Sequence, residues 1–134
     1  MYLVDTNVLS EQMRKVPDAR VLGWLSRQPA IAVSVISVME LDSGVTRAPA
    51  AKRAPLRQWF DDMLVSPAHE FLPVTIAIAR AAGQLQAGLV QRGKPRAVTD
   101  LLIAATALTH GAVLVTRNTR DFEGLGVALL NPFD

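Results

Sequence analysis

Cysteine is absent from the 134 residues, which excludes disulfide bonds and thiolate metal sites. Histidine is almost absent, with only His69 and His110. Any bound metal ion must therefore be held by oxygen atoms or by these two imidazoles. The two histidines lie far apart in the chain and neither is near a candidate nucleophile, so we interpret both as structural.

Long apolar runs are also missing. Half of the residues are hydrophobic, but no run approaches the roughly 18 residues that a membrane span needs. The N-terminus lacks a basic region followed by an apolar segment, so no signal peptide is predicted. We expect a soluble, cytoplasmic protein, folded as one domain that is large enough to bury a sizeable core.

Neither sign of charge is in large excess. The chain has 14 basic and 12 acidic residues, which gives a net charge of +2. If four acids discussed below are set aside as functional, 8 acidic residues remain against 14 basic ones. That surface is mildly basic, which is compatible with a polyanionic partner and equally with an ordinary protein surface.

Short β-rich apolar runs alternate with helical patterns along the chain. The predicted strands are Tyr2–Val4, Ile31–Val35, Phe71–Val74, Val113–Val115 and Val127–Leu130. The predicted helices are Asn7–Arg14, Pro17–Arg27, Val38–Val45, Leu56–Val65, Thr75–Gln91 and Val98–His110. Ser37 is expected to cap the third helix, and Pro73 favours an edge position for the third strand. This alternation predicts an α/β fold with a central, parallel, five-stranded sheet.

Four acids fall where such a fold brings them to one edge. Asp5 ends the first strand, and Glu40 lies in the first turn of the predicted helix after the second strand. Asp100 opens the helix before the fourth strand, and Asp121 follows that strand. Clustered carboxylates raise one another's pKa and destabilise the fold unless a cation neutralises them. Hard oxygen ligands suit Mg²⁺ or Mn²⁺, so the pattern predicts a divalent-cation site.

Each acid also has an ordinary structural explanation. Asp5 can cap a helix, Glu40 fits a capping box, and Asp100 suits the positive end of a helix dipole. Asp121 can form an Asx-turn after Asn118. Convergence also requires the chain from Gln91 to Ala97 to return to the edge before Asp100.

Four sequence blocks resemble the PIN domain, and more narrowly the VapC/FitB-type toxin ribonucleases of type II toxin–antitoxin modules. The blocks are Leu3–Ser10, Ile36–Leu41, Asp100–Ala107 and Thr116–Phe122, in the family's order. The resemblance covers nearly the whole chain, 1–134. It implies a three-layer α/β/α fold and a magnesium- or manganese-dependent endoribonuclease, usually dimeric and inhibited by a cognate antitoxin.

The resemblance also implies roles for individual residues. Matching positions make Asp5, Glu40, Asp100 and Asp121 the catalytic and metal-binding acids. The supporting polar groups would be Thr6, Asn7, Ser37, Thr116 and Asn118, of which Asn118 could share the role of Asp121.

Two further sets are expected to bind partners. The basic residues Arg92, Lys94, Arg96, Arg117 and Arg120 surround the acids and are candidates for binding RNA phosphates; solvated loop charges are the alternative. The apolar residues Trp24, Leu25, Leu41, Trp59, Phe60 and Met63 would line a groove for an antitoxin segment. Core packing is the alternative for these.

Three other functions remain possible from the sequence. The chain could be a PIN nuclease of RNA processing that is not a toxin, or a non-catalytic binding module on the same fold. It could also be a magnesium-binding receiver or phosphatase-like domain. The sequence Asp5-Thr6-Asn7 lacks the DxD pattern of such phosphoryl acceptors, and no lysine follows the later strands at a suitable place.

Overall fold

A computed structural model of the chain describes residues 1–134. Its five strands are β1 (Tyr2–Val4), β2 (Ile31–Ser34), β3 (His69–Leu72), β4 (Val113–Val115) and β5 (Ala128–Leu130). They form one sheet in the order β3-β2-β1-β4-β5, and all neighbouring strands are parallel. The predicted sheet is confirmed, with β3 at an edge. Because β1 is the central strand, the residue that follows it lies in the middle of the carboxyl edge.

Six α-helices surround the sheet. They are α1 (Thr6–Leu9), α2 (Ala19–Ser26), α3 (Val35–Arg47), α4 (Ala50–Val65), α5 (Ile76–Gln91) and α6 (Val98–His110). Two 3-10 turns complete the chain, at Ser10–Met13 and Thr119–Phe122. No helix combines the length and apolarity that a membrane crossing would require.

The helix boundaries follow local chemistry where the prediction was accurate. Thr75 caps α5, because its hydroxyl accepts a hydrogen bond from the Ile78 amide at 3.2 Å. α6 occupies the predicted residues and ends at Gly111, whose φ of 61° is a left-handed conformation that glycine adopts without strain. Asp18 caps α2 through the Arg20 amide.

Several predicted boundaries were wrong. β3 occupies His69–Leu72 in place of the predicted Phe71–Val74. α3 begins at Val35, because Ser34 rather than Ser37 is its cap and accepts from the Ile36 amide at 3.0 Å. Glu40 therefore lies in the second turn of α3 and not in the first. α4 begins at Ala50, since it accommodates Pro55 inside the helix. The first helix changes to a 3-10 turn after Leu9.

Two hydrophobic clusters cover the two faces of the sheet. On one face, Leu3 and Leu114 pack with buried residues of α5 and α6. On the other face, Val4 and Val33 pack with residues of α1, α2, α3 and α4. Apolar strands buried on both sides are typical of parallel sheets with helices on each face. The three-layer α/β/α architecture is thereby confirmed.

Candidate active site

Asp5 is the buried carboxylate at the centre of the carboxyl edge. Its amide extends the sheet by donating to the Val115 carbonyl at 2.9 Å. Oδ1 caps α1 by accepting from the Thr6 amide at 2.8 Å, and Oδ2 accepts from the Thr116 hydroxyl at 2.8 Å. Burial raises the pKa of Asp5, and these hydrogen bonds oppose the rise. The helix-cap role is real, and it occupies only one of the two carboxylate oxygens.

Asn7 joins Asp5 to the loop that follows β4. Its Nδ2 donates to Asp5 Oδ2 at 3.3 Å and to the Thr116 hydroxyl at 3.4 Å. Its Oδ1 accepts from the Arg117 amide at 3.0 Å. The Thr116 hydroxyl also accepts from the Asn118 amide at 3.1 Å. This network holds the β4 loop against the end of β1, so the supporting positions of Asn7 and Thr116 are geometrically well defined.

Glu40 reaches the same edge from α3. Its Oε1 accepts a hydrogen bond from the Thr6 hydroxyl at 3.2 Å. Burial raises the pKa of Glu40, and the neighbouring charge of Asp5 adds to that rise. Thr6 thus contacts Glu40 through its side chain and Asp5 through its backbone amide.

Asp100 faces the other three acids from the first turn of α6. Burial raises its pKa to about 6, with further contributions from the charges of Asp121, Asp5 and Glu40. The positive charge of Arg96 lowers the pKa of Asp100. Arg96, in the segment between α5 and α6, donates to the Asp121 carbonyl at 3.1 Å, so this part of the chain does return to the carboxyl edge.

Asp121 is the exposed member of the set. It lies in the 3-10 turn after β4, where its amide donates to the Asn118 carbonyl at 3.0 Å. Phe122 is fully buried and anchors this turn in the core. The side chain of Asn118 is exposed and has no recorded hydrogen bond, so Asn118 contributes to the site through its backbone.

The chemistry of these donors fits a hard divalent cation. The four acids and the hydroxyls of Thr6 and Thr116 offer oxygen atoms, and the charges of the other three acids raise the pKa of Asp100. In the arrangement described, no three acidic or histidine side chains lie close enough to hold one ion together. Binding by three carboxylates would therefore need a change of side-chain position.

Ser37 does not play its predicted capping role. Its side chain is buried in the first turn of α3, and its hydroxyl has no hydrogen-bond partner. Ser34 occupies the capping position instead. Ser37 also has no recorded contact with the acids.

The five predicted RNA-binding cations differ in setting. Arg92, Lys94, Arg117 and Arg120 are exposed, whereas Arg96 is half buried. The Arg117 guanidinium lies 4.7 Å from the centre of the Phe133 ring. None of the five forms a salt bridge. Residues 117–121 line a polar hollow of about 360 Å³.

The six residues predicted to form one antitoxin groove do not share an exposed surface. Leu41, Phe60 and Met63 are core residues, with at most 5% of each exposed. Trp24 packs edge-on against Tyr2, with ring centres 5.2 Å apart.

Leu25 and Trp59 line two separate hollows. The hollow at Trp59 has a volume of about 330 Å³ and is bordered by Thr6 and Glu40. It therefore adjoins the acidic edge.

Sequence reasoning missed two charged residues. Glu11 is only 3% exposed. Its Oε1 accepts from the Asp18 amide at 3.0 Å, because the 3-10 turn directs it inward. Arg96 donates from Nε to the Asp121 carbonyl at 3.1 Å, a contact across the fold that no local pattern signals.

Comparisons with known proteins agree with this architecture. The family model described as PIN domain matches residues 2–127. The VapC ribonuclease Y4jK of Sinorhizobium fredii is 36% identical over 138 aligned residues, covering 100% of this chain and 99% of the relative. Toxin FitB of Neisseria gonorrhoeae is 34% identical and covers 99% of both chains.

A solved structure gives the same result in three dimensions. The crystal structure of FitAcB from Neisseria gonorrhoeae superimposes with a TM-score of 0.89 at 33% identity, covering 99% of both chains. The match extends over the sheet, all surrounding helices and the carboxyl edge. This chain therefore belongs to the PIN domain family, in the group that contains the VapC and FitB proteins.

Proposed function

We propose that this protein is a metal-dependent endoribonuclease that acts as the toxin of a type II toxin–antitoxin module. The observation that carries the proposal is the meeting of four acid-bearing segments at the carboxyl edge, where Thr6 bonds both Asp5 and Glu40 and Arg96 joins the segment before Asp100 to the turn of Asp121. Membership of the PIN family and full-length similarity to a VapC ribonuclease and to toxin FitB support it. The first of these names describes a ribonuclease and the second a toxin.

Asp5 and Asp100 are our proposed direct ligands for Mg²⁺ or Mn²⁺. Glu40 would bind the ion directly or through water, and Asp121 would bind a second ion or orient the attacking water. A bound ion supplies an activated water and neutralises charge on the phosphoryl oxygens. The chain needs no serine, cysteine or histidine nucleophile for this reaction. Thr116 and Asn7 maintain the position of the Asp5 carboxylate through their hydrogen bonds.

The exposed cations would bind the RNA backbone on either side of the acids. Arg92 and Lys94 lie on the loop before α6, and Arg117 and Arg120 lie on the loop after β4. Phosphates would be attracted to these cations and repelled by the carboxylates unless an ion is bound. RNA binding and ion binding should therefore support each other.

We further propose that a cognate antitoxin binds beside the acidic edge. The hollow that contains Trp59 offers an apolar surface that adjoins Glu40, which suits an amphipathic segment of a partner. A homodimer, a cytoplasmic location and a single domain over 1–134 belong to the same proposal. A receiver or phosphatase-like role has no support in the family match.

Cleavage of RNA by the purified protein tests this proposal. Labelled single-stranded RNA is incubated with the protein in EDTA, and then with added Mg²⁺ or Mn²⁺. We expect no cleavage in EDTA and internal cuts after the metal is restored. Equal cleavage in EDTA, or none with either ion, would contradict the proposal.

The toxin role has a separate test. Induced expression in a bacterial host should arrest growth, and co-expression of the small gene adjacent to this one should restore it. A PIN nuclease that cleaves RNA without arresting growth would support the role in RNA processing instead.

A further inference from the structure

Arg96 differs from the other cations of its loop. Arg92 and Lys94 are exposed, whereas Arg96 is half buried. Its Nε donates to the backbone carbonyl of Asp121 at 3.1 Å, and its Nη1 lies 3.4 Å from the Pro95 carbonyl. Arg96 therefore connects the segment that precedes Asp100 with the turn that carries Asp121.

The Nε hydrogen bond of Arg96 is the one hydrogen bond that joins these two segments. α6 begins at Val98, and the preceding Ala97 provides no side-chain cap. The backbone of the preceding loop bonds back to α5 and not to the turn. The turn has no side-chain cap either, and is held on its inner side by the buried Phe122. The Arg96 hydrogen bond is thus placed to determine how the turn lies against α6.

We propose that Arg96 is a positioning residue of the candidate active site, which holds the turn of Asp121 against the start of α6 through its Nε hydrogen bond. The inference rests on the proposed function. It assigns Arg96 a role within the fold in place of the phosphate contact expected from the sequence. The positive charge of Arg96 also lowers the pKa of Asp100, which agrees with its place between the two acid-bearing segments.

Two substitutions separate the hydrogen bond from the charge. In Arg96→Gln, the amide nitrogen occupies the same position along the side chain as Nε, so the donor remains while the charge is lost. In Arg96→Lys, the charge remains, but a methylene group replaces Nε. Arg96→Ala removes both. Arg80→Ala is the matched control, because Arg80 is exposed on α5 and has no recorded side-chain partner.

Hydrogen–deuterium exchange of residues 118–122 measures how often the backbone amides of the turn open, and it does not depend on activity. We expect about fivefold faster exchange in Arg96→Lys and Arg96→Ala, the size of effect that loss of one hydrogen bond produces. Arg96→Gln and Arg80→Ala should exchange at the rate of the unmodified protein. Unchanged exchange in Arg96→Lys, or faster exchange in Arg96→Gln alone, would overturn the proposal.

RNA cleavage then tests the consequence for the reaction. At saturating RNA and metal, the rate should fall about tenfold or more in Arg96→Lys, since small displacements of reacting groups are costly. Arg96→Gln should keep most of the rate. RNA affinity in EDTA, measured by fluorescence anisotropy, should stay the same in Arg96→Lys.

The opposite pattern would overturn the proposal. If Arg96→Lys cleaved RNA at the full rate while Arg96→Gln cleaved slowly and bound RNA weakly, Arg96 would be identified as a phosphate contact. If the unmodified protein cleaved no RNA, the proposed function would fail, while the exchange experiment would still decide the role of Arg96.

Discussion

Replacing Asp5 by asparagine should abolish RNA cleavage and leave the fold nearly unchanged. Asp5 is only 7% exposed and is isosteric with asparagine, so the substitution creates no cavity. The asparagine oxygen can still accept from the Thr6 amide and cap α1. The new amide group faces the Asn7 amide and the Thr116 hydroxyl, which now donate to Asp5 Oδ2.

The stability change follows from these contacts. The Thr116 hydroxyl can turn to accept from the new amide, so the hydrogen bond from Asn7 is the one that is lost, at a cost of about 1 kcal/mol. The substitution also removes a buried charge whose pKa is raised by burial, which offsets part of that cost. The net change in the free energy of unfolding should stay within about 1 kcal/mol, or about 4 °C in Tm for a domain of this size.

The catalytic change should be much larger. A carboxylate that binds the ion contributes several kcal/mol to the transition state, so cleavage should fall by at least about a hundredfold. The assay is single-turnover cleavage of labelled RNA with Mn²⁺, beside a thermal melt of the same sample. Asp61→Asn is the control, because Asp61 is exposed on α4 and should keep full activity. Full cleavage by Asp5→Asn would refute the reasoning, and a melt lowered by more than about 10 °C would show a mainly structural role.

Three other substitutions give further expectations. The raised pKa of Asp100 means that the metal-free fold keeps a proton that the unfolded chain releases between about pH 4 and pH 6. Ionisation of Asp100 therefore lowers the free energy of unfolding of the wild type as pH rises through that window. In EDTA, the Tm of Asp100→Asn should rise relative to that of the wild type over the same window. A Tm difference between Asp100→Asn and wild type that does not change with pH would contradict this expectation. Lys94→Ala should reduce the salt dependence of RNA binding by about one unit of the log–log slope, and an unchanged slope would remove Lys94 from the RNA surface. Ser37→Ala should keep or slightly raise Tm, because the buried hydroxyl has no partner, whereas a clear loss of stability would reveal a contact for it.

Much of the fold could be predicted because local patterns coincide with the final environment. β1 and β4 are short apolar runs buried on both faces, and α6 is apolar around most of its circumference and ends at Gly111. The predicted topology brought Asp5, Glu40 and Asp121 to one edge, but for Asp100 it left open whether the chain from Gln91 to Ala97 returns to that edge. The error at α3 did not affect that conclusion, because Glu40 in the second turn still reaches Thr6.

The remaining features depend on contacts between distant segments. The sequence pattern placed Ser34 inside a strand and Ser37 at the cap, whereas β2 ends at Ser34 and makes this serine the cap of α3. Glu11 is buried because a 3-10 turn directs it towards the Asp18 amide. The amphipathic patterns of α3 and α4 identified apolar residues, but could not distinguish buried Phe60 from the half-buried Trp59. The packing of distant segments determines which of these side chains are buried.

The most direct test of the acidic site is the location of Mn²⁺ by anomalous diffraction from crystals soaked in that ion. Our account predicts a peak at the carboxyl edge of the sheet, bonded to Asp5 and to at least one of Asp100, Glu40 and Asp121. Soaked crystals of Asp5→Asn should lose this peak. A peak bonded to other residues, or a fully soaked crystal with no peak at the edge, would contradict the central claim.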